Sequence, residues 1–154
     1  MFTLELEQLE ISAAHHLKGT MPTGHKCCNM HGHNWFIDVA IEYHSLHMPE
    51  GGVIIDFGKI KAVVMNLDHK NLNDIISVTT AGGISYTLAH QIAHLIKEER
   101  GEKFLKQCTV RVRVNESAAN TVSYFADFRP IENLLQAFAA LVRAMRFTKK
   151  GGVA

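Results

Sequence analysis

Four stretches in which apolar and polar side chains alternate bracket two stretches of helical period, and that order narrows what the chain can fold into. The first, TLELEQLEISAAH, places Leu4 and Leu6 on one face of an extended chain but Leu9, Ile11 and Ala13 on the other parity. A strand cannot change face without an extra residue, so a bulge or break is expected near Gln8. The second, HNWFIDVAIEY, turns Trp35, Ile37, Val39 and Ile41 to one side and Asn34, Asp38 and Glu42 to the other. A turn region, SLHMPEGG, follows. Asp56 then reads as the N-cap of a helix carrying Ile60, Val63, Val64 and Leu67. A second helix is expected from near Ser85, with Leu88, Ile92, Leu95 and Ile96 on its stripe. CTVRVRVNE and TVSYFADF, joined by the turn-like SAAN, are two further strands. Strand, strand, helix, helix, strand, strand predicts an α+β fold: an antiparallel four-stranded sheet with helices on one face.

The chain's 154 residues, 47% of them hydrophobic, suffice for one domain with a real core. A net charge of +1 advertises no broad basic surface, which argues against nucleic acid as a partner. The longest apolar run, AFAALV, falls far short of the ~20 residues of a membrane span. The acidic, alternating MFTLELEQLE is unlike a secretory signal, and three cysteines do not make a disulfide framework, so a reducing, cytoplasmic setting is expected. After Phe128, the segment RPIENLLQAFAALVRAMRF puts Ile131, Leu134, Leu135, Phe138, Leu141, Val142 and Met145 on one helical stripe. Such a helix either closes over the core or docks on another subunit. Residues 1–128 are therefore read as the main domain and 129–154 as a helix and tail appended to it.

Ten histidines are the anomaly in the composition. The stretch HKCCNMHGH holds His25, His31 and His33 beside Cys27 and Cys28. His31 and His33, two apart at the start of a strand, leave the same face and can share a metal if a third ligand arrives from a neighbouring strand. His15 is a candidate because it continues the parity of Leu9, Ile11 and Ala13. Three histidines without a fourth protein ligand make an open, catalytic type of zinc site. A Cys2His2 structural site using Cys27 and Cys28 is the competitor, though adjacent cysteines are awkward ligands for one tetrahedral ion. His90 and His94 lie at i and i+4 on one helix face, but Gln91 stands where a zinc protease needs a glutamate, so a surface pair is the simpler account. Asp68-His69, in LDHKNLND, reads as turn chemistry at a helix end. Glu116 closes the Val110, Val112, Val114 face with a carboxylate, which must be paired or functional there.

SAAHHL, HKCCNMHGH, GGVIIDFGKIK, LDHKNLND and VRVNES occur in an order and spacing that resemble the 6-pyruvoyl-tetrahydropterin synthase family, and most of all its bacterial 6-carboxy-tetrahydropterin synthase branch, which serves queuosine biosynthesis. The resemblance covers roughly residues 2 to 128. It implies the tunnelling fold, assembled as a homo-oligomer, usually a hexamer, with active sites between subunits. It implies His15, His31 and His33 as zinc ligands, with His16 the alternative to His15 because the loop to His25 is one residue longer than in similar sequences. Cys27 matches the acid/base cysteine and leaves Cys28 at a variable position. Asp68 and His69 match the family's Asp-His pair, and Glu116 its pterin-holding carboxylate.

The activity so implied is that of a zinc-dependent lyase converting 7,8-dihydroneopterin triphosphate to 6-carboxy-5,6,7,8-tetrahydropterin with release of acetaldehyde and triphosphate. The alternatives are the pyruvoyl synthase, a zinc- and pterin-binding homologue without synthase activity, and a structural metalloprotein. One departure stands out. Where similar sequences read Pro-Thr-x-Glu-Asn, this chain reads Gly83, Ile84, Ser85, Tyr86, Thr87, so the usual capping box of the second helix is lost and Ser85 is expected to cap it.

Overall fold

In the computed structural model, which describes residues 1–132 and 135–136, the first alternating stretch is a single strand, β1 (Phe2–His15). It pairs antiparallel with β2 (His31–Tyr43), and the register steps from Leu6 opposite Val39 to Leu9 opposite Ile37. Glu7 and Gln8 thus share one partner position, Asp38, which is a β-bulge. Gln8 takes a left-handed φ of 57°, and its N–H donates to the Asp38 carboxylate at 2.8 Å. The extra residue brings both parities of β1 onto one face. Leu4, Ile11, Ala13 and, at the strand's end, His15 are all buried there.

Strands β3 (Cys108–Asn115) and β4 (Thr121–Asp127) complete an antiparallel sheet in the order β1-β2-β3-β4. Between β2 and β3 the chain forms α1 (Phe57–Met65), α2 (Ala81–Arg100) and the single turn α3 (Glu102–Leu105). Ile60 and Val64 of α1 and Ile84, Leu88, Ile92 and Ile96 of α2 share one core with Ile37, Val39, Ile41, Val110, Val112 and Val114. Each such buried side chain contributes ~1.5–3 kcal/mol, so this helix–sheet layer carries the stability. The opposite sheet face is largely polar, with Phe125 exposed on it beside Arg111. Its exposed ion pairs, such as Arg111 with Glu5 at 3.2 Å, contribute at most ~1 kcal/mol each. Among the described residues, no helix is long and apolar enough to cross a membrane.

The second helix starts earlier than Ser85. Thr80 is its N-cap, with the hydroxyl accepting the Gly83 N–H at 3.1 Å, while Ser85 is buried inside the helix and donates to the Gly82 carbonyl at 2.8 Å. Two glycines look like a poor first turn, but a Cβ on Gly83 would collide with the Val78 carbonyl. Close packing, not helix propensity, selects glycine there. Asp56 does cap α1, accepting the Lys59 N–H at 3.1 Å. Cys108 is buried, and burial pushes its thiol up to about 12, so it is inert packing.

After α1 the chain returns along the free edge of β1. The His69 N–H donates to the Ser12 carbonyl at 2.7 Å and the Ala14 N–H to the Lys70 carbonyl at 3.0 Å, with His69 turning the chain at φ 56°. Leu72, fully buried, anchors this segment in the core. Of the C-terminal stripe, Ile131 and Leu135 are exposed; Leu134, Phe138, Leu141, Val142, Met145 and the tail lie outside the described residues.

Candidate metal centre

Pairing of β1 with β2 sets His15 directly opposite His31, and Ala13 opposite His33. All three histidines lie on the face that packs the core, so the rings converge, with centroids 4.5 to 5.2 Å apart. One nitrogen from each falls within 4.8 Å of the other two. Trp35 closes the floor, its ring edge-on to His15 and His33 at 5.0 Å and its indole N–H donating to the Ala13 carbonyl.

The tautomers follow from the partners. His15 Nδ1 lies 2.7 Å from the Thr79 carbonyl and His31 Nδ1 2.8 Å from the Asn29 carbonyl. A carbonyl only accepts, so both Nδ1 atoms carry the proton and both Nε2 lone pairs are directed elsewhere. His15 Nε2 and His33 Nε2 are buried without a hydrogen-bond partner. Orphaned buried nitrogens are costly unless something occupies the space between them. Burial is also the main influence holding both rings below the ordinary histidine value, which keeps them in the neutral form a metal requires. The donor set fits a zinc ion with an open position.

That depression fixes a pH dependence. Each ring binds a proton more readily unfolded than folded, so stability from these groups is present above ~6.5 and is lost as pH falls below it toward the folded value. Chelator-treated protein should therefore show a melting temperature that drops across this range; saturating zinc should raise the melting temperature but steepen its fall with pH, because bound metal keeps the folded rings unprotonated. A flat profile in metal-free protein would contradict neutral burial of the rings.

Glu116 follows β3 in the turn to β4, its N–H donating to the Asn120 carbonyl at 3.0 Å. Its Oε1 lies 3.6 Å from both His15 Nε2 and His33 Nε2, too far for a hydrogen bond but near enough to attract a cation held between them. A cavity of about 420 Å³ opens over the cluster, lined by Lys26, Cys27, His31, His33, Glu116 and Ser117. Cys28 turns away, its thiol 3.5 Å from the Pro22 carbonyl. His16 also points elsewhere: its peptide is bound by Asn73, and its Nδ1 accepts the Lys18 N–H.

Asp68 and His69 are placed apart from these residues. The Asp68 carboxylate accepts the Ser12 N–H at 2.8 Å and the His69 Nδ1–H at 2.9 Å, and those bonds hold it below the usual carboxylate range. His69 is largely exposed and lines a second, wider cavity of about 640 Å³, to which Ser12, Gly32, His33 and Asn34 contribute. Within one chain, then, Cys27 and Glu116 lie on one side of His33 and His69 on the other. His90 and His94 are both exposed on α2, as a surface pair would be; the His90 ring lies tilted against Tyr86, centroids 4.4 Å apart, with its Nε2 3.3 Å from the Tyr124 hydroxyl. Tyr86, at the departure noted above, is occupied with these neighbours on the outer side of α2. Thr79, Asn29 and Lys26 were not foreseen. The first two act through backbone carbonyls, which no residue type betrays.

A helix-backed antiparallel sheet here gathers three histidines, a donor set able to hold a metal ion, beside a cavity lined by a thiol and a carboxylate. Residues 6–127 match the family described as 6-pyruvoyl tetrahydropterin synthase, and the chain belongs to that family. It is 34% identical over 109 residues to the "Putative 6-carboxy-5,6,7,8-tetrahydropterin synthase" of Archaeoglobus fulgidus, spanning 68% of this chain and 82% of that one. Its fold resembles 6-pyruvoyltetrahydropterin synthase from Plasmodium vivax (TM-score 0.59, 15% identity, 82% of this chain and 98% of that one). It also resembles the Caenorhabditis elegans 6-pyruvoyl tetrahydropterin synthase (TM-score 0.56, 23% identity, 82% and 96% covered).

Proposed function

We propose that the chain is a zinc-dependent lyase that converts 7,8-dihydroneopterin triphosphate to 6-carboxy-5,6,7,8-tetrahydropterin, releasing acetaldehyde and triphosphate. The observation that carries this reading is the cavity in which the histidine cluster meets Cys27 and Glu116. The 34% identity to a protein named for the carboxy product favours that branch. A bound zinc would supply Lewis acidity, polarising the hydroxylated side chain of the substrate. The protein's own groups do the rest. Glu116 accepts paired N–H donors from the pterin edge, a bidentate match. Cys27 moves a proton at the side chain. His69, oriented by Asp68 through the 2.9 Å bond, is the partner acid/base.

Because His69 faces out of its own chain, the reading completes the site with a second copy, so that the protein works as a homo-oligomer, a hexamer in the arrangement the family resemblance implies. Residues 1–128 form the synthase domain, and 129–154 are an appendage to it. Mass analysis of the products formed by purified protein from 7,8-dihydroneopterin triphosphate tests the proposal. A 6-carboxy product with acetaldehyde is expected. A pyruvoyl product would move the chain to the other branch, and zinc and pterin binding without product would make it a non-synthase homologue.

A further inference from the structure

The end of β1 is held by a side chain that imitates a peptide group. Beyond Ala14 the backbone ladder along this edge stops, and Asn73 continues it. Its Oδ1 accepts the His16 N–H at 2.8 Å, while its Nδ2 donates to the His16 carbonyl at 3.0 Å. The orientation of the carboxamide is dictated by these partners, since a peptide N–H only donates and a carbonyl only accepts. The same Nδ2 donates to the Thr79 hydroxyl at 3.1 Å, and that hydroxyl donates to the His16 carbonyl at 3.2 Å. Thr79 is buried, and its carbonyl receives the Nδ1–H of His15. One carboxamide therefore ties the residue after His15 to the residue whose carbonyl orients the His15 ring.

We infer that Asn73, acting with the Thr79 hydroxyl, is a positioning residue for the metal centre: it locks the His15 ring on the Thr79 carbonyl and so aims Nε2 at the cluster. The inference rests on the metal-site reading above. The two halves of the contact come from residues 64 apart in sequence, in segments that no regular strand pairing joins; Leu72 and the bonds to Ser12 and Ala14 anchor the loop as a whole, and the bonds of Asn73 and the Thr79 hydroxyl to His16 set the local spacing. Asparagine is suited because the His16 peptide needs an acceptor and a donor together. An aspartate at this position would lose the donor and set a carboxylate against the His16 carbonyl, and a leucine would lose both.

The test compares Asn73→Leu, Thr79→Val and Thr79→Ser with the parent in two measurements. One is zinc affinity by competition with a chromogenic chelator; the other is the His15 Nδ1–H resonance of metal-free protein labelled with 15N-histidine. Asn73→Leu should bind zinc ~10–100-fold more weakly, the range for losing a group that supports a metal ligand. It should also lose the Nδ1–H resonance to exchange. Thr79→Val should shift both measurements in the same direction, and Thr79→Ser should restore both. Parent-like affinity with the resonance retained in Asn73→Leu overturns the inference, even if the melting temperature falls. Should Asn73→Leu fail to fold, Thr79→Val against Thr79→Ser decides by the same criteria. A parent protein that binds no zinc sinks the metal-site reading instead, and the resonance in the metal-free variants still decides whether the clamp positions His15.

Discussion

Alanine in place of Cys27 is expected to cut turnover at least ~100-fold while leaving bound zinc and pterin binding unchanged, because the thiol lines the cavity without joining the histidine cluster. The neighbouring sulfur supplies the control. Cys28 packs toward the loop carbonyls of Met21 and Pro22, so Cys28→Ala should stay within a few-fold of the parent. The contrast arises from the short 3-10 turn at Lys26–Cys28, which sends consecutive side chains in different directions. Its geometry is set by His25, whose Nδ1 accepts the Cys27 N–H at 3.2 Å. Steady-state kinetics and metal analysis on the two variants check this. An essential Cys28 beside a dispensable Cys27 would remove the proposed proton carrier.

The second large effect is expected at His15. His15→Ala should reduce zinc affinity beyond the ~10–100-fold that losing a supporting hydrogen bond costs, since it removes a ligand outright. It should also destabilise the metal-free protein by about 1–3 kcal/mol, because the Thr79 carbonyl loses its buried donor. His31→Ala and His33→Ala should lose zinc with a smaller stability cost, as these rings are only partly buried. His90→Ala and His94→Ala should retain zinc, both being exposed on α2. Metal content and thermal melts separate the cases. Full zinc occupancy in His15→Ala or His31→Ala would exclude the proposed ligand set.

Much of the architecture was legible along the chain. The parity switch between Leu6 and Leu9 announced the bulge that the register shows, and the same parity pointed to His15 rather than His16. The pairing of His31 and His33 on one face follows from strand geometry alone. Asp56 was readable as a cap because its Oδ1 acts within four residues. These features share one property: each depends on residues close in sequence, where periodicity and side-chain chemistry are decisive.

What remained hidden depends on segments far apart. The start of α2 at Ala81 rather than Ser85 is a local exception: Thr80 caps the helix, and glycine stands at position 83 despite its poor helix propensity because a Cβ there would collide with the Val78 carbonyl. The partners of the His15 and His31 rings are main-chain carbonyls, and every residue offers one, so no letter in the sequence marks Thr79 or Asn29 for that role. Asp68 and His69 were recognisable as a pair, but their facing a different cavity from Cys27 was not. The strands, the bulge and the face the histidines leave are written into the local order of residues, because a repeat of two sets them all. How the loop before α2 meets the end of β1 emerges only on folding, because that contact is fixed by Leu72 in the core and by hydrogen bonds bridging more than fifty residues of chain.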